Sequence, residues 1–258
     1  MSNYLHTYWR SLGSGARNGT SDRLLLALLI PFALIYSLVL RLRAWLYQIG
    51  LLKTWRLARP VISVGNITVG GTGKTPVTAW LARQLMKRGC VVAVLSRGYG
   101  GSLEGSAAIV SDGVTVFLKP EECGDEPYLL ASTVPGLIVV IGSDRYQAGM
   151  LVMESLAPDI FLLDDGFQHI RLHRDMNILL LDCAKPFGNG WTLPAGLLRE
   201  PRSAALRASW IIRTRCRDIP MHIRGLDISE AEALHELRDL VRQRHPPLRR
   251  PGPAPTGA

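Results

Sequence analysis

Residues 68 to 75 read Thr68-Val69-Gly70-Gly71-Thr72-Gly73-Lys74-Thr75, a set of residue types that together can hold a polyphosphate. Glycines let successive backbone N–H groups turn toward phosphate oxygens. The Lys74 ammonium can reach the β- and γ-phosphates, and the Thr75 hydroxyl is a ligand for Mg²⁺. Against the pattern GxxxxGK[ST], Thr68 stands where the first glycine is usual, so the strict match begins at Gly73 and Gly70 and Gly71 supply the extra freedom. ATP with Mg²⁺ is the ligand expected of such a loop. A metal held there needs a further acidic group at the end of a neighbouring strand, and Asp164-Asp165 follows four apolar residues, Ile160-Phe161-Leu162-Leu163. Two adjacent carboxylates repel unless a cation or base offsets their charge. Gly166-Phe167-Gln168-His169 then turns the chain, which makes His169 either a functional group at the same sheet edge or a satisfied surface histidine.

The elements that must position these groups are legible as short apolar runs separated by turns and helical stretches beyond Arg59. Strands are predicted at 61–64, 91–95, 138–141, 160–163, 178–181 and 210–212, with an antiparallel hairpin of 107–110 and 114–118 around Ser111-Asp112-Gly113. A helix is predicted over 76–87, directly after the glycine loop, with Pro76 in its first turn where a missing N–H costs nothing. The order strand, glycine loop, helix is the one the phosphate motif demands. The expected fold is α/β, a P-loop NTPase-like, mostly parallel sheet with helices on both faces.

Ahead of this core lies an uncharged apolar run, 24–40, bounded by Arg23 and Arg41, then a second apolar stretch at 44–52. A membrane crossing takes about 20 residues, so the run is borderline in length, and Pro31 interrupts it. Arg17, Arg23, Arg41, Arg43 and Lys53 surround Phe32, Tyr36, Trp45 and Tyr47, a composition suited to an anionic membrane interface. The other reading is a buried helix of a soluble core. The run lies too far in, and lacks a small-residue cleavage site, for a cleaved signal peptide. The expected organisation is an apolar membrane-docking segment over 1–55, the P-loop core over 56–217, a helical segment over 218–245 and a disordered tail over 246–258. Ser229 and Glu232 form a capping box ahead of Leu234, Leu237, Leu240 and Val241, and after His245 the chain becomes proline-rich.

With 258 residues, 47% of them hydrophobic, the chain can bury a substantial core, which excludes disorder throughout. Its 30 Lys and Arg against 21 Asp and Glu give a net charge of +9, pointing to an anionic partner. No interleaved aromatic and basic motif supports nucleic acid. Cys90, Cys123, Cys183 and Cys216 have no metal-binding spacing and read as reduced thiols of a cytosolic compartment.

A longer series of motifs carries a specific resemblance. Val64-Gly65-Asn66-Ile67-Thr68 through Lys74-Thr75-Pro76 is followed by Ser96-Arg97-Gly98-Tyr99-Gly100, Gly124-Asp125-Glu126-Pro127 and Asp144-Arg145-Tyr146. Then come Asp164 to His169, Phe187-Gly188-Asn189-Gly190, Leu193-Pro194-Ala195-Gly196 and Leu198-Arg199-Glu200-Pro201. In content and order this resembles the tetraacyldisaccharide 4′-kinases, from the apolar helix to about Arg215. The resemblance implies an enzyme on the cytoplasmic face of the inner membrane, peripheral or monotopic. Such an enzyme transfers the γ-phosphate of ATP to the 4′-hydroxyl of an acylated glucosamine disaccharide 1-phosphate, giving lipid IVA.

By the same resemblance Asp125 is the candidate base for the sugar hydroxyl, although Asp125-Glu126-Pro127 also looks like a helix start. Thr75, Asp165 and Glu200, with Asp164, form the implied Mg²⁺ set. Arg97 and Arg145 are candidates for the transferring phosphoryl group or the substrate phosphate, with the division between them open. His169 and Asp164 are a candidate pair, and Gln168 a candidate holder of a water or phosphate oxygen. Leu197 stands where proline is commoner. The family continues into a smaller lobe that closes over the nucleotide, and from about Arg217 this sequence stops resembling it. The expectation is therefore an incomplete C-terminal lobe. A regulatory P-loop ATPase and an inactive nucleotide-binding relic are the alternatives, the first weakened by Val69 where such proteins carry an early lysine.

Overall fold

The computed structural model describes residues 2–17, 19–216 and 223–224. Its centre is an eight-stranded sheet built from β1 (Val61–Gly65), β2 (Val92–Ser96), β3 (Ala108–Asp112), β4 (Ile138–Ile141), β5 (Ile160–Asp164), β6 (Met176–Asp182), β7 (Trp210–Thr214) and β8 (Ile223–Arg224), in the order β3-β4-β2-β5-β1-β6-β7-β8. The six strands from β4 to β7 in that order are parallel, and β3 and β8 are antiparallel edges. In β1, β2, β4 and β5 every residue is buried, as expected of strands covered on both faces.

One face packs under α3 (Lys74–Lys87) and α5 (Asp125–Thr133), where Leu81, Leu85 and Leu130 meet Ile62, Val94 and Leu162. The other packs under α6 (Arg145–Ser155), where Ala148 and Val152 meet Val61, Leu95, Phe161 and Leu163. The alternation within each strand sends neighbouring residues to opposite cores. Helices on both faces and a mostly parallel sheet agree with the expectation from sequence.

The predicted hairpin is only partly formed. β3 pairs antiparallel with β4, and residues 114–118 contribute a single bridge, Ser111 with Val116. The Asp112 carboxylate accepts from the N–H groups of Val114 (2.8 Å) and Thr115 (2.7 Å), a local turn that competes with a second strand. Val114 is left 94% exposed.

The N-terminal region holds α1 (Ser2–Gly13) and α2 (Thr20–Gln48), the latter running without a break through Pro31. Ala33 is buried, but Leu28, Phe32 and Ile35 are 66%, 58% and 62% exposed, which removes the buried-core reading of this helix. The helix is long and apolar enough to cross a membrane. A short helix, α4 (Pro120–Cys123), and a 3₁₀ turn at Arg202–Arg207 complete the described elements.

Cys183 and Cys216, expected as separate thiols, are joined by a disulfide, with Cα atoms 5.2 Å apart. They follow β6 and β7, adjacent parallel strands whose ends lie side by side. The expectations for 218–245 and 246–258, including the helix after Ser229, lie outside the described residues.

Leu162 sits at the middle of β5 between β1 and β2, fully enclosed. Leu162→Ala should cost about 2–5 kcal/mol in urea unfolding. A loss within experimental error of zero would contradict this core.

Candidate active site

All the parallel strands end at one edge of the sheet, and the candidate groups gather there, as is general for open α/β sheets. β1 leads into the glycine loop, and Gly73, at φ 79°, caps α3 in a left-handed conformation that glycine adopts without strain. Asn66 staples the loop from below: its amide donates to Thr72 Oγ1 (2.8 Å) and to the Gly70 carbonyl (3.3 Å). The end of β7 joins in, with Thr214 Oγ1 donating to the Thr72 carbonyl (2.9 Å). Lys74 and Thr75 are mostly buried at the start of α3.

β5 neighbours β1 in register Val64 with Asp164, which sets the carboxylate beside the loop. Asp164 is 1% exposed and accepts from Thr78 Oγ1 (2.9 Å) and Thr75 Oγ1 (3.3 Å). Burial raises its pKa from 3.8 to about 6, against the lowering effect of the Thr78 bond and of Lys74. Asp165 adopts φ 51°, a left-handed conformation, and its carboxylate turns instead to Arg199 (2.8 Å) and, more loosely, to Lys74 (3.7 Å). Like-charge repulsion is thus relieved by sending the two carboxylates to different partners.

Asp125 opens α5 on the exposed side, directly after Gly124. Gly124 has φ 87°, and a Cβ there would come within 2.5 Å of the Tyr99 carbonyl, so the Arg97–Tyr99 loop and the approach to Asp125 are pressed backbone to backbone. Asp125 thus stands at a helix start and is exposed.

Arg145 is buried at the start of α6, with its guanidinium donating to the Gly142 carbonyl. Burial first, then Arg97, lowers its pKa to about 10, while Asp165 and Asp164 act oppositely. Arg97 is exposed and paired with Glu104 (3.2 Å). His169 lies close by, its pKa lowered to about 4 by burial and then by Arg145 and Arg174, so the imidazole is neutral near pH 7. Its Nε2 is buried with no hydrogen-bond partner among the described residues. Gln168 is used structurally, donating to the Asn66 carbonyl (2.8 Å).

Glu200 is the one expected metal ligand that the structure does not bring to this group. Its carboxylate accepts from Arg207 (2.6 Å), beside a cavity of about 650 Å³ under the C-terminal half of α2. The reason is local: Leu198 bridges Thr68, and along an extended segment successive side chains point to opposite sides. Arg199 therefore reaches Asp165 and Glu200 turns away. Among the described residues no cluster of three His, Cys, Asp or Glu could hold a metal. Thr75 and Asp164 do meet, and a carboxylate whose charge is disfavoured by burial suits a cation beside it.

Several site residues have little or no sequence signal. Thr78 lies one turn after Thr75 on the same helix face, which its spacing could have shown. Arg10 of α1 and Arg215 after β7 come to the glycine loop from distant parts of the chain. A Cβ built on Gly70 would lie 3.2 Å from Arg10 Nη2, and one on Gly71 would lie 3.5 Å from Arg215 Nη2.

A sequence model of the family described as LpxK, tetraacyldisaccharide-1-P 4′-kinase, matches residues 25–245, so the likeness extends past Arg217, where the sequence was expected to leave the family. The chain is similar to the tetraacyldisaccharide 4′-kinase of Pelobacter propionicus, with 64% identity over 93% of this chain and 67% of that protein. It is also similar to that of Geobacter sulfurreducens, with 62% identity over 81% of this chain and 59% of that protein. Among solved structures it is similar to LpxK from Aquifex aeolicus in complex with ATP, with 44% identity, a TM-score of 0.69, and coverage of 74% of this chain and 59% of that one. The chain thus spans between 59% and 67% of the length of these relatives.

Asp164 and His169 titrate with opposite effects on stability in one pH window. Asp164, raised from 3.8 to about 6, is protonated more readily folded than unfolded, so it subtracts stability as pH rises through that interval. His169, lowered from 6.5 to about 4, stays neutral in the fold while the unfolded imidazole takes a proton, so it subtracts stability as pH falls. Relative to wild type, Asp164→Asn should lose stability more steeply on acidification from about pH 6.5 to 4, and His169→Asn less steeply. Urea midpoints across that range check both, and two profiles parallel to wild type would rule out this electrostatic account.

Proposed function

Because this chain belongs to the tetraacyldisaccharide-1-P 4′-kinase family, we propose that it transfers the γ-phosphate of ATP to the 4′-hydroxyl of tetraacyldisaccharide 1-phosphate, giving the 1,4′-bisphosphate, lipid IVA. The observation that carries the reading is the junction of glycine loop and acidic strand end, with Thr75 on Asp164 and Lys74 beside Asp165. A loop of this kind binds the polyphosphate through backbone N–H groups and Lys74. Mg²⁺, held by Thr75 and Asp164 with Asp165 adjacent, would neutralise charge on the phosphate oxygens.

An alcohol attacks poorly until its proton is removed, and Asp125, exposed at the start of α5, is the proposed acceptor of that proton. Arg97 and Arg145 are proposed to hold phosphate oxygens, since their mutual repulsion favours an anion between them. Neutral His169, with Nε2 available, is proposed to accept a hydrogen bond at the same edge. The apolar, exposed side of α2 supports docking on the cytoplasmic face of the inner membrane, where an acylated substrate resides. Contacts from Asp22 to Tyr8, from Ala33 and Ser37 to Thr192, and from Tyr36 to Arg199 tie the helix along the protein, which supports lying in the interface over crossing it.

Incubation of the chain with labelled ATP, Mg²⁺ and tetraacyldisaccharide 1-phosphate in detergent micelles should give labelled bisphosphate. Asp125→Ala should reduce the rate by about 10²–10⁴-fold, and Lys74→Ala should abolish it. Absence of product from the unaltered chain, with nucleotide binding intact, would reject the kinase reading. Replacing Leu28, Phe32 and Ile35 together by Gln should release the chain from phospholipid vesicles in a flotation assay. Unchanged flotation would remove α2 from the membrane contact.

A further inference from the structure

Residues 191–199 form a strap between the N-terminal helices and the glycine loop. On its inner side Val69 N–H donates to the Leu197 carbonyl (2.7 Å), Thr68 bridges Leu198, and Arg199 N–H donates to the Ile67 carbonyl (2.8 Å). Arg199 then carries its guanidinium to Asp165 (2.8 Å). The strap therefore fixes both the entrance of the glycine loop and the partner of an acidic site residue.

On its outer side the strap is held by both N-terminal helices. Trp9 Nε1 donates to the Pro194 carbonyl (3.0 Å), and Tyr36 of α2 donates to the Arg199 carbonyl (3.3 Å). The most enclosed of these joints is Thr192, 3% exposed. Its hydroxyl donates to the Ala33 carbonyl of α2 (2.8 Å) and lies 2.8 Å from Ser37 Oγ, one helical turn further on. A hydroxyl can donate once and accept as well, so Thr192 satisfies both by giving its proton to Ala33 and taking one from Ser37.

We propose that Thr192 is a positioning residue for the phosphate loop, through which the seating of α2 sets the affinity for nucleotide. The inference rests on the kinase reading for its consequence, but its geometry does not pass through the lipid acceptor. The Thr192 hydroxyl bonds to α2 rather than to the glycine loop or Asp165. It locks the strap to α2, and the strap's backbone bonds hold residues 67–69 and Arg199. Because the opposite side of α2 is the apolar, exposed one, a bilayer acting on α2 acts on the strap at Thr192. Breaking a bond between buried groups leaves its partners unsatisfied, so loosening this joint lets the loop entrance move while the sheet beneath stays in place.

The test uses the full chain and a fluorescent ATP analogue with Mg²⁺. Thr192→Val keeps the volume and removes the hydroxyl, and should weaken binding of the analogue about five- to tenfold. Thr192→Ser keeps the hydroxyl and should bind within about twofold of wild type. Ser37→Ala should weaken binding in the wild-type background and add nothing to Thr192→Val, as expected for partners in one bond. In the transfer assay Thr192→Val should raise the KM for ATP and leave that for the lipid acceptor unchanged. Wild-type affinity in Thr192→Val, or equal losses in Thr192→Ser and Thr192→Val, would overturn the proposal. Should Thr192→Val fail to fold, Ser37→Ala decides, since wild-type affinity there breaks the link between α2 and the loop. A chain whose nucleotide affinity responds as expected, but which transfers no phosphate, keeps the positioning role and rejects only the kinase reading.

Discussion

A carboxylate enclosed at the end of a central strand is expensive, and the arrangement around Asp164 follows from meeting that cost. Taken out of water, the carboxylate must gain hydrogen bonds or a cation. The register of β5 on β1 sets it against the first turn of α3, where Thr75 and Thr78 present hydroxyls one turn apart. That requirement couples three things: β5 must neighbour β1, α3 must begin at the loop, and the loop must be compact enough for Gly73 to cap the helix. The raised pKa of Asp164 shows that two hydroxyls leave the compensation incomplete, which is the electrostatic condition for welcoming a cation.

The second carboxylate would double the problem if it followed the strand direction. Asp165 escapes through a left-handed turn, a conformation that aspartate tolerates better than most residues. There it meets Arg199, delivered by the strap, whose other side is gripped by α1 and α2. The N-terminal helices are therefore not an appendage to the core. Removing them would take away the outer supports of the segment that neutralises Asp165.

How much of this could be read in advance depended on the range of the interactions. The six parallel strands and α3 were legible because short runs of mostly apolar residues, broken by turns, have few other solutions. The loop and the Asp164-Asp165 pair were legible because their chemistry is local. Residues 114–118 form less of a strand than read because Val114-Thr115-Val116-Phe117-Leu118, rich in β-branched and aromatic residues, looks like one, while the Asp112 side chain, a competitor for the same backbone donors, carries no weight in such a pattern. Glu200 was taken as a ligand because it is acidic and lies in a motif. Which of two neighbours in an extended segment faces the site depends on the pairing of Leu198 with Thr68, a contact across 130 residues. Arg10, Arg199 and the Cys183 to Cys216 bridge share that difficulty, since each arises from tertiary neighbours rather than from spacing.

The two cations on Asp165 differ in a way that bears on how the site would receive a polyphosphate. Arg199 sits at hydrogen-bond distance, and a guanidinium keeps its charge and direction. Lys74 stands at 3.7 Å, outside a hydrogen bond, on a flexible stem. An incoming phosphate competes for Lys74 against a loose contact, and Lys74 can turn to it without stranding an unpaired carboxylate, because Arg199 remains. Were the distances reversed, recruiting Lys74 would mean breaking the tighter pair. The strap therefore leaves the loop's lysine free to move by holding the arginine still, and the accuracy with which α2 seats that strap becomes part of the site's readiness for nucleotide.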